Sequence, residues 1–217
     1  MFLNLHTHSP TLSPGVMEIE SVRYGQPDAP TAAYRSVGLH PWFLEKNDLE
    51  AARQWLHEQA AHPDTLAIGE AGLDKATDTE WAVQLAAFQC CVEISEAAQK
   101  PLVIHCVRAF GEILDLKKRW QPSQSWVFHG FDKNPKVAEM LLAAGCYVSF
   151  GAALFRPNSH AAQALQVTPA ERFFLETDAS DLSIEAVYER AAALRGISLA
   201  ALQAQVWENA RRLGLPV

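Results

Sequence analysis

The chain has 217 residues, 49% of them hydrophobic and 20% charged, an ordinary globular composition for one large domain or two small ones. A chain of this length buries roughly 70% of its unfolded surface, so it folds without disulfides or a structural metal. Its formal net charge of −7, with the Lys and Arg residues scattered, argues against tight nonspecific binding to nucleic acid. It does not exclude a nucleic-acid substrate, because bound divalent ions bring positive charge of their own.

Cys90, Cys91, Cys106 and Cys146 form no CxxC pair and sit in apolar stretches, so they read as buried thiols in a reducing compartment. The N-terminal MFLNLHTHSP lacks a basic segment and has too short an apolar run for a signal peptide. No stretch approaches the ~20 apolar residues that cross a bilayer. The expectation is a cytoplasmic protein that does not engage membranes.

In chain order, strand-type runs cover 2–8, 16–22, 33–39, 65–70, 102–106, 126–129, 146–150 and 172–178. Several are nearly continuous in apolar residues, as parallel strands covered on both faces are. Helical patterns fill 47–61, opening on a possible Asn47 or Asp48 cap, then 79–99, 110–120, 135–144, 159–165, 183–195 and 198–213, the last two broken at Gly196. Alternating β and α segments imply a parallel sheet, and eight strands predict one domain over 1–217 with a TIM-type (β/α)8 barrel fold. Residues 9–15 and 23–32 are too short for crossover helices, which need about a dozen residues. The first two helices are therefore expected to be missing or vestigial, leaving an outer wall that can serve a homodimer. A monomer fits the sequence equally well.

Metal-competent side chains fall where apolar strands run out. His6 and His8 end the first strand as His-Thr-His, and residues two apart on a strand point the same way. Glu70 ends the fourth strand, His105 the fifth, His129 the sixth and Asp178 the eighth. In barrels of this kind the C-terminal strand ends build the active site. Any one of these could be a hydrogen-bonded polar residue at a strand end; together they point to a metal-dependent hydrolase.

The ordered set HTH, VGLHPW, AIGEAGLD, PLVIHC, FHGF and LETD, with WENARRLGL near the C-terminus, resembles the TatD-related deoxyribonucleases among the amidohydrolase-like barrels. The resemblance runs from Phe2 to Leu213. It implies two divalent ions (zinc, magnesium or manganese): His6 and His8 would hold one with Asp178, His105 and His129 the second, and Glu70 would bridge them. It further implies hydrolysis of DNA phosphodiester bonds by a metal-activated water, with Asp178 receiving the proton and Glu70 sharing the catalytic role. Val107 stands where an arginine is common in the family, with Arg108 following it, and the chain is short between His8 and His40.

His40 also ends a strand, and can contact substrate, support a ligand or make a structural hydrogen bond. Arg108 and Asp74 sit just beyond ligand-bearing strands and are candidates to bind substrate. Glu176 reads as a buried partner of a neighbouring strand, while His57, His62 and His160 read as surface residues. Trp42 and Phe43 can stack on a base or pack as core or lid. The same barrel and metals also suit a small ester, lactone or amide substrate, and a fold that survives as a binding module is a third reading.

Overall fold

The computed structural model describes residues 1–26, 29–45 and 48–216. Its strands are β1 (Phe2–Thr7), β2 (Val16–Arg23), β3 (Tyr34–Gly38), β4 (Thr65–Asp74), β5 (Leu102–Val107), β6 (Trp126–Phe128), β7 (Tyr147–Phe150) and β8 (Phe173–Leu175). They form one eight-stranded sheet in the order β1 to β8. The helices are α1 (Leu49–Ala60), α2 (Trp81–Ala98), α3 (Phe110–Trp120), α4 (Pro135–Ala143), α5 (His160–Val167), α6 (Ile184–Arg195) and α7 (Leu199–Arg212). Among the described residues no helix lies between β1 and β2 or between β2 and β3, as the short spacings require. None of the helices is long and apolar enough to cross a membrane.

Helix starts follow local chemistry. Asn134, Ser159, Ser183 and Ser198 each accept a hydrogen bond from the backbone N–H three residues on, which satisfies an otherwise orphaned donor at α4, α5, α6 and α7. The α1 cap differs: Asp48 makes no side-chain capping bond, and Asn47 lies outside the described residues.

The chain divides into two compact units, Met1–Glu20 with Val127–Val217, and Ser21–Trp126. In the first, α6 and α7 pack on β1 and β8. Leu3, Leu5, Phe173, Phe174, Val187, Tyr188, Leu202 and Val206 are buried there. The Tyr188 hydroxyl accepts from Leu3 N and donates to Leu3 O, at 3.2 and 2.9 Å. Where a crossover helix would stand, the loop after β1 is held by Glu18 of β2, whose carboxylate accepts from Thr11 N and Leu12 N at 3.1 and 2.8 Å.

In the second unit, α1 and α2 cover β3 and β4, with Leu56, Phe88, Cys91, Ile113 and Trp126 buried. All of β4 is buried. It runs four residues past the expected end at Glu70, because after a register shift between Ile68 and Ala71 its last residues pair with Ile104–Val107 of β5. A Cβ at Gly69 or Gly72 would collide with the carbonyl oxygen of Val103 or His105, so this close approach requires glycine at both positions. Cys90, Cys91 and Cys146 are buried as expected, Cys106 is half-buried, and no disulfide joins them.

Asn209, in the WENARR stretch of α7, is fully buried. Its Nδ2 donates to Ala170 O and Phe173 O at 2.8 and 2.9 Å, tying α7 to the start of β8. Asn209→Ala leaves two carbonyls without that donor. Thermal and urea melts should show a loss of about 2–4 kcal/mol.

Candidate metal centre

In the first unit the site grows from how β1 meets the chain after β8. Glu176 N still bonds to Phe150 O of β7 at 3.0 Å, but β8 itself ends at Leu175, short of the expected Asp178. The chain then turns toward β1: Asp178 N donates to His6 O at 3.0 Å and His8 N to Asp178 O at 3.1 Å. Asp178 takes a left-handed backbone (φ 53°) at this point. The join is fixed by a buried polar network. Asn4 Nδ2 donates to Thr177 Oγ1 at 2.9 Å, Thr177 N to Asn4 Oδ1 at 3.0 Å, and Thr177 Oγ1 to Thr7 Oγ1 at 3.0 Å. Three metal-competent side chains are brought together as a result.

His6 Nε2 lies 3.7 Å and His8 Nε2 3.4 Å from Asp178 Oδ1, with the two imidazole centroids 5.0 Å apart. These separations exceed a hydrogen bond. They match two ligand atoms on one tetrahedral ion, which at metal–ligand distances of ~2.1 Å sit about 3.4 Å apart. The donor set therefore fits a divalent cation. His6 is buried, whereas the His8 and Asp178 side chains are 40% and 39% exposed and open the site to solvent.

His129 follows β6, and its ring lies tilted against that of His6 with centroids 4.2 Å apart. Its Nδ1 faces Glu176 Oε1 at 3.6 Å, and the same oxygen accepts from Gly130 N at 2.5 Å. Burial pushes the Glu176 carboxyl up, but His129 and His6 beside it outweigh burial and hold it below the usual glutamate range. His129, Glu176 and Asp178 form a second group able to hold an ion. Glu176 is thus the buried partner expected from sequence and a possible ligand as well.

The second unit carries its own set. Trp42 N donates to His40 Nδ1 at 3.1 Å, which leaves the proton of a neutral ring on Nε2, 3.0 Å from Glu70 Oε1. His40 therefore orients Glu70 by donation. His105 lies between two carboxylates, with Nδ1 2.8 Å from Glu70 Oε1 and Nε2 3.0 Å from Asp74 Oδ2. A neutral imidazole has one proton to give. With Asp74 taking Nε2–H, Nδ1 meets Glu70 at hydrogen-bond distance, a contact that a second ring proton or a cation held by both groups satisfies.

Asp74 is buried, and its Oδ2 also accepts from the Trp42 indole N–H at 2.5 Å. Ala76 N donates to its other oxygen at 2.7 Å, and Gln84 fixes its backbone through Asp74 N and O. Burial pushes the Asp74 carboxyl up, but donation from His105, Trp42 and Ala76 outweighs it and keeps the group ionised. Its place is behind His105. Arg108, exposed and left-handed (φ 55°), stands beyond β5 and joins none of these bonds. His57, His62 and His160 are exposed, as expected. Sequence reading missed Gln84, which carries no motif, and the Trp42 indole bond.

The sequence model of the family described as TatD related DNase matches residues 17–214. The chain belongs to the TatD-related DNase family. Among its relatives, an uncharacterized metal-dependent hydrolase TatD of Mycobacterium tuberculosis is 30% identical over 157 residues, covering 69% of this chain but 59% of that protein. The chain thus spans little more than half the length of that relative. A 3′-5′ ssDNA/RNA exonuclease TatD of Erwinia tasmaniensis is 28% identical over 207 residues, covering 85% of this chain and 79% of that protein. The crystal structure of YjjV, a TatD homolog from Escherichia coli K12, superposes with a TM-score of 0.82 at 20% identity, covering 99% and 98% of the two chains. That likeness shows the fold, a TIM-type (β/α)8 barrel.

Asp74→Asn should weaken metal binding through His105 by about 10- to 100-fold, the usual cost of losing a carboxylate behind a ligating histidine. Calorimetric titration of the metal-stripped variant checks this, with circular dichroism confirming that the barrel persists.

Proposed function

We propose that this chain is a metal-dependent hydrolase of the TatD type that cleaves phosphodiester bonds in single-stranded nucleic acid, DNA in the first instance. One observation carries the reading: His6 and His8 face Asp178 at 3.7 and 3.4 Å, too long for hydrogen bonds and right for shared ligation. Family membership and the exonuclease name of the Erwinia relative support it.

His6, His8 and Asp178 would hold one divalent ion, and His105 with Glu70 would ligate a second. Divalent ions in such sets supply Lewis acidity toward a phosphoryl oxygen and make a water easier to deprotonate. The protein's own groups do the rest. Asp178 is half exposed and accepts the proton of the attacking water. Glu176, fully buried, pins Gly130 N and so fixes the peptide behind His129. His40 keeps Glu70 oriented, and Asp74 keeps His105 oriented.

The deciding experiment re-loads the metal-stripped protein with zinc, magnesium or manganese in turn and assays short single-stranded DNA, RNA and a panel of simple esters. Cleavage of the oligonucleotides supports the proposal; turnover of esters alone would replace it with a carboxylic-ester hydrolase. Elemental analysis should approach two equivalents of metal. Glu70→Gln should lower that content and abolish most activity, since an amide coordinates divalent ions less well than a carboxylate. Loss of one ion would confine Glu70 to the His105 set.

The net charge of −7 and the scattered cations leave few phosphate contacts. Oligonucleotide affinity should fall with salt on a log–log slope shallower than about −3, and duplex DNA should bind poorly. Filter binding across a salt series measures both.

A further inference from the structure

Trp42 and Phe43 are 55% and 48% exposed, yet they are not loose surface aromatics. They follow Pro41 in a short 3-10 turn after β3. The Trp42 indole N–H is fastened to Asp74 Oδ2, and its ring meets the His40 and His105 rings nearly at right angles, with centroids 5.1 and 5.7 Å away. Phe43 lies 5.4 Å from His40 by ring centroids, and the Arg23 guanidinium sits 3.7 Å over the Phe43 ring. Two large apolar rings are thus held partly exposed in fixed orientation against His40 and His105, with the Arg23 guanidinium covering one face of Phe43.

We infer that Trp42 and Phe43 form a nucleobase subsite of this centre, on which a base of single-stranded DNA or RNA stacks. This rests on the nuclease reading above. A ring already fixed by hydrogen bonding loses little rotamer freedom when a ligand covers it, and every base offers a π-face, so such a platform selects for unpaired bases rather than for sequence. Paired bases in a duplex keep their faces buried and cannot use it. The Arg23 guanidinium matches the anionic backbone that accompanies the base. A merely structural Trp42, exposed only because Asp74 needs its N–H, would be indifferent to whether the ligand carries bases.

The test compares equilibrium binding of a labelled phosphorothioate oligothymidylate, which resists cleavage, with that of a phosphorothioate oligomer of equal length made of abasic residues. Fluorescence anisotropy on the metal-loaded protein reads both. Wild type should prefer the base-bearing strand by about tenfold or more. Trp42→Leu and Phe43→Ala should bring that ratio toward one, while Trp42→Phe, which keeps a stacking face without the indole N–H, should retain most of it. Phe43→Ala keeps the test valid should Trp42→Leu misfold, since Phe43 makes no hydrogen bond to Asp74. A wild type that cleaves single strands without preferring bases, or variants that keep the preference, would overturn the subsite alone. A wild type that neither binds nor cleaves any oligonucleotide would sink the nuclease reading together with it.

Discussion

Two backbone hydrogen bonds, Asp178 N to His6 O and His8 N to Asp178 O, hold the first unit's chemistry in place. They fasten the segment after β8 to the end of β1, and the Asn4–Thr177–Thr7 network locks them from beneath. Without that join Asp178 would be one more loop carboxylate. With it, two imidazoles and a carboxylate stand at ligand spacing rather than hydrogen-bond spacing. The polar network lies deep in the unit, where leaving any member unsatisfied would cost more than the bond contributes. Rigidity at the ligands is therefore enforced from the core outward.

The second unit reaches the same end by a different route. Glycines at 69 and 72 let β4 approach β5 closely, and the register that follows sets Gly72 opposite His105 and Asp74 opposite Val107. Each ligand candidate then has a partner behind it: His40 behind Glu70, and Asp74 behind His105. Trp42 takes part twice, through its backbone N–H on His40 and its indole N–H on Asp74. One residue thus sets the tautomer of His40 and braces the carboxylate behind His105, while about half of its surface stays exposed. Supporting shells of this sort decide how well a metal is held.

The metal-competent side chains and the exposed aromatic rings are different residues in this arrangement. The metal-competent groups range from buried His6 and Glu70 to exposed His8, whereas the exposed apolar rings at 42 and 43 carry no ligand atoms. With an overall negative charge, the protein has little means of gripping a polyanion by electrostatics alone. Were the proposed substrate a nucleic acid, stacking on exposed aromatic rings would favour unpaired bases over duplex.

Much of this was legible in the amino-acid order. Apolar runs of strand length alternate with amphipathic runs of helix length, and that periodicity survives any packing, so all eight strands and the seven helices stand where expected, with α3 matching at both ends. The short spacings after β1 and β2 forbade crossover helices by chain length alone. Ligand types at strand ends were visible too: any one could be a hydrogen-bonded strand-end residue, but together they made a metal site the better reading. The pairings were not visible. Asp74 meets His105 across 31 positions and Glu176 meets Gly130 across 46, and such partners depend on strand register, which sequence periodicity leaves open. The extension of β4 past Glu70, the early end of β8 at Leu175 and the proton on His40 Nε2 all follow from which backbone groups lie within ~3 Å of one another. Residue order determined which chemistry the chain carries; only the tertiary structure decided which nitrogen faces which oxygen, because hydrogen bonds and ligation are fixed by distances between residues that the sequence keeps far apart.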